Sequence, residues 1–356
     1  MISRRSLSIF GVVLLLGCTA SPMLKYNLDV PAQTLSGLDA PGVQDDRARF
    51  REIFCSTLRE RPDRKQRPCE QLLHRLTDEE PSGAGAGPLP APDPRLHFVF
   101  VPGLFNDCAS SIAWPFETAV ARLLDLGYKA EILPVNGRSS SAYNAKRIAE
   151  FVSQASVANE RLVLVGYSKG AADLLEFLVA NPELAGRVSA VVSVAGAING
   201  SPLADAGDSF YERSLRDVSL PGCGLGDAGA IASLRRSQRL NWLVAHHLPR
   251  TTRYFSLVSF TRLDAVSGPL RPFAAGLAQI DPRNDGLLLF YDQVIPGATL
   301  LGYVNADHWA VAVPIEEKRP LIATLVTGHN WFPRDTLVEA VALYLSEQLA
   351  TGHAGR

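Results

Sequence analysis

The sequence predicts an α/β domain built on a central, mostly parallel sheet flanked by helices. From about residue 96 onward, short unbroken apolar runs alternate with segments whose apolar residues recur at helical spacing. Strands covered on both faces read as continuous apolar runs, and the helices between them are the crossovers a parallel sheet requires. The composition agrees. The 356 residues are 47% hydrophobic and 20% charged, with 35 Lys and Arg against 36 Asp and Glu. A disordered chain would have fewer apolar residues, and a nucleic-acid binder would carry a basic excess. The length accommodates one large domain and an additional segment, or two ordinary domains.

The first element is not part of that domain. Met1-Ile2-Ser3-Arg4-Arg5 is positively charged, and an apolar run follows from Leu7 to Leu16. Ten helical residues reach about 15 Å, roughly half of a ~30 Å bilayer core, so the run is too short to span and has the shape of a secretory signal. It ends in Leu15-Leu16-Gly17-Cys18, which resembles the lipobox of bacterial lipoproteins. The resemblance implies a signal peptide over residues 1–17, cleavage before Cys18 and lipid on that cysteine. Two acyl chains already give stable anchoring, and lipoproteins of this kind carry three. Thr19 stands where an Asp would favour inner-membrane retention, so the expected location is the outer membrane of a bacterial envelope. The chain has five cysteines, and an odd count leaves one unpaired in an exported protein. Cys18 as the lipid site accounts for it.

Residues 18–42 then read as a tether, and residues 43–80 as a small helical segment: two short helices around a turn containing Pro62 and Pro68, with Cys55 and Cys69 placed to staple them. Residues 81–95 form a Pro/Gly-rich linker. The α/β domain spans residues 96–356. Its expected strands are His97–Val101, Ala130–Pro134, Leu162–Gly166, Ala190–Val194, Tyr254–Phe260 and Ala298–Val304. Helical spacing marks Phe116–Leu126, Ala145–Val157 and Asp335–Leu349. The roughly sixty residues between Val194 and Tyr254 are long for a connection and read as a cap, about residues 200–250. It carries Phe210, Tyr211, Leu220, Leu225, Trp242 and Leu243, which suit either the lining of an apolar pocket or the cap's own core. Cys108 and Cys223 form the second expected pair, tying the cap beside the site. Four cysteines allow three pairings.

Gly166-Tyr167-Ser168-Lys169-Gly170 is the chain's one G-x-S-x-G. The run Leu162-Val163-Leu164-Val165 leads into it. A helical pattern follows, with Ala171, Leu174, Leu175, Leu178 and Val179 on one face, ended by Asn181-Pro182. Strand, motif and helix together are the setting of a nucleophile elbow, where a serine sits on a strained turn and small neighbours let the chains pass. Residues from about 96 to 350 therefore resemble the α/β-hydrolases, and within them bacterial secreted lipases and esterases.

The resemblance implies the chain order Ser, acid, His. Of the five histidines after Ser168, His308 lies just beyond the last strand, where this fold presents its base. His329 is the alternative, while His246 and His247 precede the Tyr254 strand and His353 is in the tail. Asp264, Asp281 and Asp285 all follow the Tyr254–Phe260 strand. Asn284-Asp285-Gly286-Leu287 is similar to the segment carrying the triad acid in bacterial lipases, which implies Asp285, with Asp264 as the runner-up. The oxyanion donors are then the backbone N–H of Lys169 and that of Leu104, in Pro102-Gly103-Leu104-Phe105, where lipases have His-Gly and an apolar residue. The Lys169 side chain, at a helix start, is expected to be solvated. Phe105, Trp242 and Trp114 are candidate substrate contacts. Trp309, Ala310 and Val311 follow His308 where many of these lipases carry a calcium-binding Asp, and no Cys/His cluster has zinc spacing. No metal or cofactor is expected. The sequence thus points to a lipid-anchored serine hydrolase cleaving carboxylic esters with an acyl chain. Acyl transfer, thioester cleavage with the same triad, and an inactive envelope binding module are the alternatives.

Overall fold

The computed structural model describes residues 42–61, 67–76, 79, 88–108, 113–155, 160–206, 224, 226–327 and 331–351. The expected signal segment over residues 1–17, Cys18, Phe210, Tyr211, Leu220, Cys223, Leu225, His329 and His353 lie outside the described residues.

The strands are β1 (Gln44–Asp45), β2 (Leu73–His74), β3 (Leu96–Val101), β4 (Lys129–Ile132), β5 (Arg161–Tyr167), β6 (Val188–Val194), β7 (Arg253–Phe260) and β8 (Thr299–Asn305). They form one sheet in the order β1-β8-β7-β6-β5-β3-β4, parallel throughout, with β2 added antiparallel to β8. Every strand expected from the sequence is present, with its ends displaced by no more than two residues. The long helices are α1 (Arg47–Arg59), α2 (Glu117–Asp125), α3 (Ser141–Gln154), α4 (Lys169–Ala180), α5 (Arg236–Ala245) and α6 (Arg334–Thr351). No helix among the described residues is long and apolar enough to cross a membrane.

Strand alternation divides the core. Phe98 and Phe100 of β3 join Val163, Val165 and Val192 on the face covered by α1, α2 and α6, while Val99, Val101, Leu164 and Val191 face α3 and α4. Each such side chain, fully buried, contributes roughly 1.5–3 kcal/mol.

The segment before the linker is a working part of this sheet. β1 pairs with Thr299 and Leu300, and β2 with Tyr303 and Val304, so the two short strands share the outer edge of β8. A long unpaired edge is an aggregation hazard, and this covering removes it. α1 is clamped from several sides. Phe54 stacks on Phe332 at 6.3 Å, Phe50 meets Tyr344 edge-on at 6.0 Å, and Cys55 is bonded to Cys69 with the Cα atoms 5.4 Å apart. Buried Arg51 donates to Leu73 O and His74 O at 3.0 and 2.8 Å and pairs with Glu79. The segment is thus one long helix and a single helical turn (Cys69–Leu72) that continues into strand, rather than two helices alone. Cys108 is also disulfide-bonded, its partner lying outside the described residues.

Candidate active site

The site forms where β5 ends and α4 begins. Ser168 occupies the turn at φ 55°, ψ −125°. A side-chain-bearing residue held in such a region costs about 1–3 kcal/mol. The two flanking glycines are dictated by contact. A Cβ at Gly166 would stand 2.5 Å from Ala171 Cα, and one at Gly170 only 2.2 Å from Val101 O. The β3 loop presses equally close, since a Cβ on Gly103 would meet Ser168 Cβ at 2.6 Å.

His308 comes from the turn after β8. Its Nε2 is 2.9 Å from Ser168 Oγ, and its Nδ1 is 2.7 Å from Asp285 Oδ2. Asp285 is fully buried, yet its carboxylate is well supplied with donors. Oδ1 accepts from the backbone N–H groups of Leu287 and Leu288 at 2.9 and 2.7 Å, and Oδ2 accepts from Gln293 Nε2 at 3.5 Å in addition to His308. The backbones are tied as well, His308 N–H donating to Asp285 O at 2.8 Å. Burying a charge is tolerable only when such donors replace water.

Several supporting residues had no signal in the linear sequence. Gln293 accepts from Ser259 N–H at 2.7 Å and donates to Ser259 O at 2.8 Å, which fixes its amide orientation and aims Nε2 toward Asp285. Tyr167 O–H donates to His308 O at 2.5 Å, and burial pushes this phenol well above its ordinary range. Asp307 is the one a reader of Asn305-Ala306-Asp307-His308 could have found, because an aspartate at that position readily closes a turn. It accepts from Trp309 N–H and Ala310 N–H at 2.9 and 2.8 Å, and from Ser267 N–H and Oγ, each at 2.7 Å. Burial raises its carboxyl pKa against those donors.

The other candidates separate clearly. Asp264 is exposed and pairs with Arg262 at 2.9 Å, Asp281 pairs with Arg283 at 2.6 Å, and His246 and His247 are exposed at the end of α5. None of them reaches Ser168. Among the described residues, the N–H groups of Leu104 and Lys169 take no part in the backbone hydrogen bonds that hold their turns. Asn106 Nδ2 donates to Gly103 O at 2.7 Å and so fixes the peptide that presents Leu104. The Lys169 side chain is not solvated as expected. It is buried, and Nζ donates to Asp173 Oδ1 at 2.6 Å, with Asn144 Nδ2 donating to Asp173 Oδ2 at 2.7 Å. The reason is helical geometry, since residues i and i+4 share a face, and here that face is the one packed against α3.

A cavity of about 610 Å³ opens above Ser168 and His308, with Phe105 in its wall. Trp242 and Trp114 are absent from its lining among the described residues. Trp242 instead packs against the sheet-facing core with Leu243, under the Arg239 guanidinium 4.6 Å from its ring centroid. The apolar face of α5 is thus turned to the sheet, and the expected substrate contact there is replaced by Trp309, beside His308. Among the described residues no group of three or more His, Cys, Asp or Glu side chains converges on a metal position.

The fold has clear relatives among solved structures. The metagenomic carboxyl esterase MGS0156 superimposes with a TM-score of 0.81 at 40% identity, covering 86% of this chain and 93% of that one. Bacillus licheniformis lipase BlEst2 in its mature form gives 0.51 at 22% identity, over 68% of this chain and 96% of that one, a likeness of fold alone. No protein-family model matches the sequence, and neither does any curated protein. The extent and identity of the first match decide the matter: this chain belongs to the carboxyl esterase family of the α/β-hydrolase fold.

Proposed function

We propose that the protein is a lipid-anchored serine hydrolase that cleaves carboxylic esters through an acyl-enzyme on Ser168. The observation that carries this reading is the unbroken line Ser168 Oγ, His308 Nε2, His308 Nδ1, Asp285 Oδ2, with gaps of 2.9 and 2.7 Å. His308 takes the Ser168 proton as Oγ attacks the ester carbonyl carbon. The oxyanion receives the N–H groups of Leu104 and Lys169, each such donor being worth about 2.7–4 kcal/mol in comparable sites. His308 then gives the proton to the departing alcohol oxygen. Water repeats the sequence on the acyl-enzyme, releasing the acid and restoring Ser168. Asp285 holds the imidazole tautomer and offsets its positive charge.

Fluorophosphonate labelling tests the nucleophile. The adduct is expected on the Ser168 peptide and is lost in Ser168→Ala. A folded wild type that takes no label contradicts the reading. The anchor is supported by the Leu15-Leu16-Gly17-Cys18 motif and Thr19, which favour lipidation at Cys18 and the outer membrane. Metabolic labelling with palmitate is expected to mark the wild type and not Cys18→Ser, and equal labelling of both contradicts it. Joining of Cys108 to Cys223 is part of the same proposal, checked by mass mapping of non-reduced peptides.

A further inference from the structure

Asp285 and His308 arrive from neighbouring strand ends. Asp285 lies on the loop that leaves β7 at Thr261, and His308 on the turn that leaves β8 after Asn305. The parallel ladder between the two strands ends at the pair Phe260 and Asn305. Past that point, side chains must fix one end against the other.

Thr261 is the first brace. Its N–H donates to Asn284 O at 3.2 Å, on the residue preceding Asp285. Its Oγ1 donates to Asn305 Oδ1 at 2.8 Å, on the strand end that leads to His308. One buried residue thus grips both sides of the acid–base pair. Ser259 adds a parallel tie, its Oγ donating to Ala306 O at 2.6 Å.

The second brace comes from the segment before the linker. Asn305 Nδ2 donates to Gln71 O at 2.8 Å. His74 Nε2 donates to Phe260 O at 3.0 Å, and its ring stacks on the Phe260 ring with centroids 4.2 Å apart. A carbonyl can only accept, so this contact places the His74 proton on Nε2. Burial keeps the imidazole neutral by pushing its pKa down to about 4. The gripping turn is itself held from behind, by the Cys55–Cys69 bond and by Arg51 on Leu73 O and His74 O. Covering the edge of β8 needs only the backbone of a short strand. It does not need side-chain ties to the two strand ends that carry the acid and the base.

Resting on the serine-hydrolase reading above, we propose that Thr261, Asn305 and His74 are positioning residues for ester cleavage, through which the segment before the linker holds Asp285 and His308 at hydrogen-bonding distance. They act through the acid and the base and not on the substrate. Their loss therefore costs rate more than binding, since a misplacement of about 1 Å can lower a rate about 100-fold.

The test uses the full chain, steady-state kinetics on a 4-nitrophenyl ester, melting temperatures and the far-downfield proton resonance of the His308–Asp285 hydrogen bond. Thr261→Val and Asn305→Ala are each expected to lower kcat about 10- to 100-fold with KM within about twofold. His74→Phe keeps the ring stack and removes the donor, and is expected to lower kcat about three- to tenfold. Thr261→Ser retains the hydroxyl and should return kcat to within about threefold of wild type. The downfield resonance should shift or broaden in Thr261→Val and recover in Thr261→Ser. Arg49→Ala breaks the same segment's ties to Glu347 and Glu52. It should lower the melting temperature while kcat stays within about twofold. Unchanged kcat and resonance in Thr261→Val and Asn305→Ala overturn the proposal, whatever their melting temperatures. A fall of kcat in Arg49→Ala as large as in Thr261→Val overturns it too, because rate would then follow stability. Wild-type kcat in His74→Phe overturns the part assigned to the segment. A folded wild type that neither turns over the ester nor takes a fluorophosphonate label contradicts the serine-hydrolase reading itself.

Discussion

Asp285 and Asp292 stand on one loop, seven residues apart, and both are fully buried. Their surroundings differ. Both oxygens of Asp285 accept hydrogen bonds, from two backbone N–H groups, His308 and Gln293. Asp292 has Arg236 on Oδ1 at 3.0 Å, and its Oδ2 is buried with no partner among the described residues. Burial accordingly pushes the Asp292 carboxyl up to about 6, with Arg236 pulling against it. Depth is the same at the two positions. What differs is how many donors the protein supplies in place of water: among the described residues, Asp285 has four and Asp292 has one.

Substitutions at the two positions sharpen this contrast. Asp285→Asn is expected to have the largest effect, a fall in kcat of about 10⁴ with little change in KM, because the amide enforces the wrong imidazole tautomer. Steady-state kinetics on a neutral ester checks it, and a fall below tenfold would assign the acid elsewhere. Gln293→Leu removes one donor to the charged carboxylate and is expected to lower kcat by roughly 10- to 100-fold, the scale of a hydrogen bond to a charged group. KM should stay near the wild-type value. If kcat is unchanged while the melting temperature falls, Gln293 serves only strand β7.

Asp292→Asn is expected to leave kcat within about twofold, since the surface and core groups away from reacting atoms act on stability. Its effect is on pH dependence. Folding raises this pKa from 3.8 to about 6, so the folded protein holds a proton that the unfolded chain releases between those values. The stability linked to that proton is present in full below pH 3.8 and is lost as pH rises through about 6. The melting temperature of Asp292→Asn relative to wild type should therefore climb between pH 4 and 7. A constant difference across that range would show that Asp292 titrates normally.

Local signals marked most of the fold. Val163-Leu164-Val165 and Val191-Val192 are apolar because both faces of the sheet are covered, so strands in the domain centre were readable. Gly166 and Gly170 were readable because the close passage of Ala171 and Val101 leaves no room for a side chain. The two-residue strands β1 and β2 were not, because so short a strand has no period and exists only through β8. Gln293 is one amide among many until the fold brings Ser259 and Asp285 beside it. Lys169 misled because a charged residue at a helix start reads as solvated, whereas its i+4 partner Asp173 holds it in the contact with α3; Trp242, read as pocket lining or cap core, packs on the sheet-facing core because α5 turns that face to the sheet.

The central claim is the covalent use of Ser168, and trapping the intermediate tests it most directly. Wild type mixed with a 4-nitrophenyl acyl ester, quenched in acid within the first turnovers and digested, should yield a Ser168 peptide heavier by one acyl group. Ser168→Ala should yield no acyl adduct and should lose on the order of 10⁶ in kcat. An acyl group found on another residue, or turnover by Ser168→Ala within tenfold of wild type, would contradict the claim.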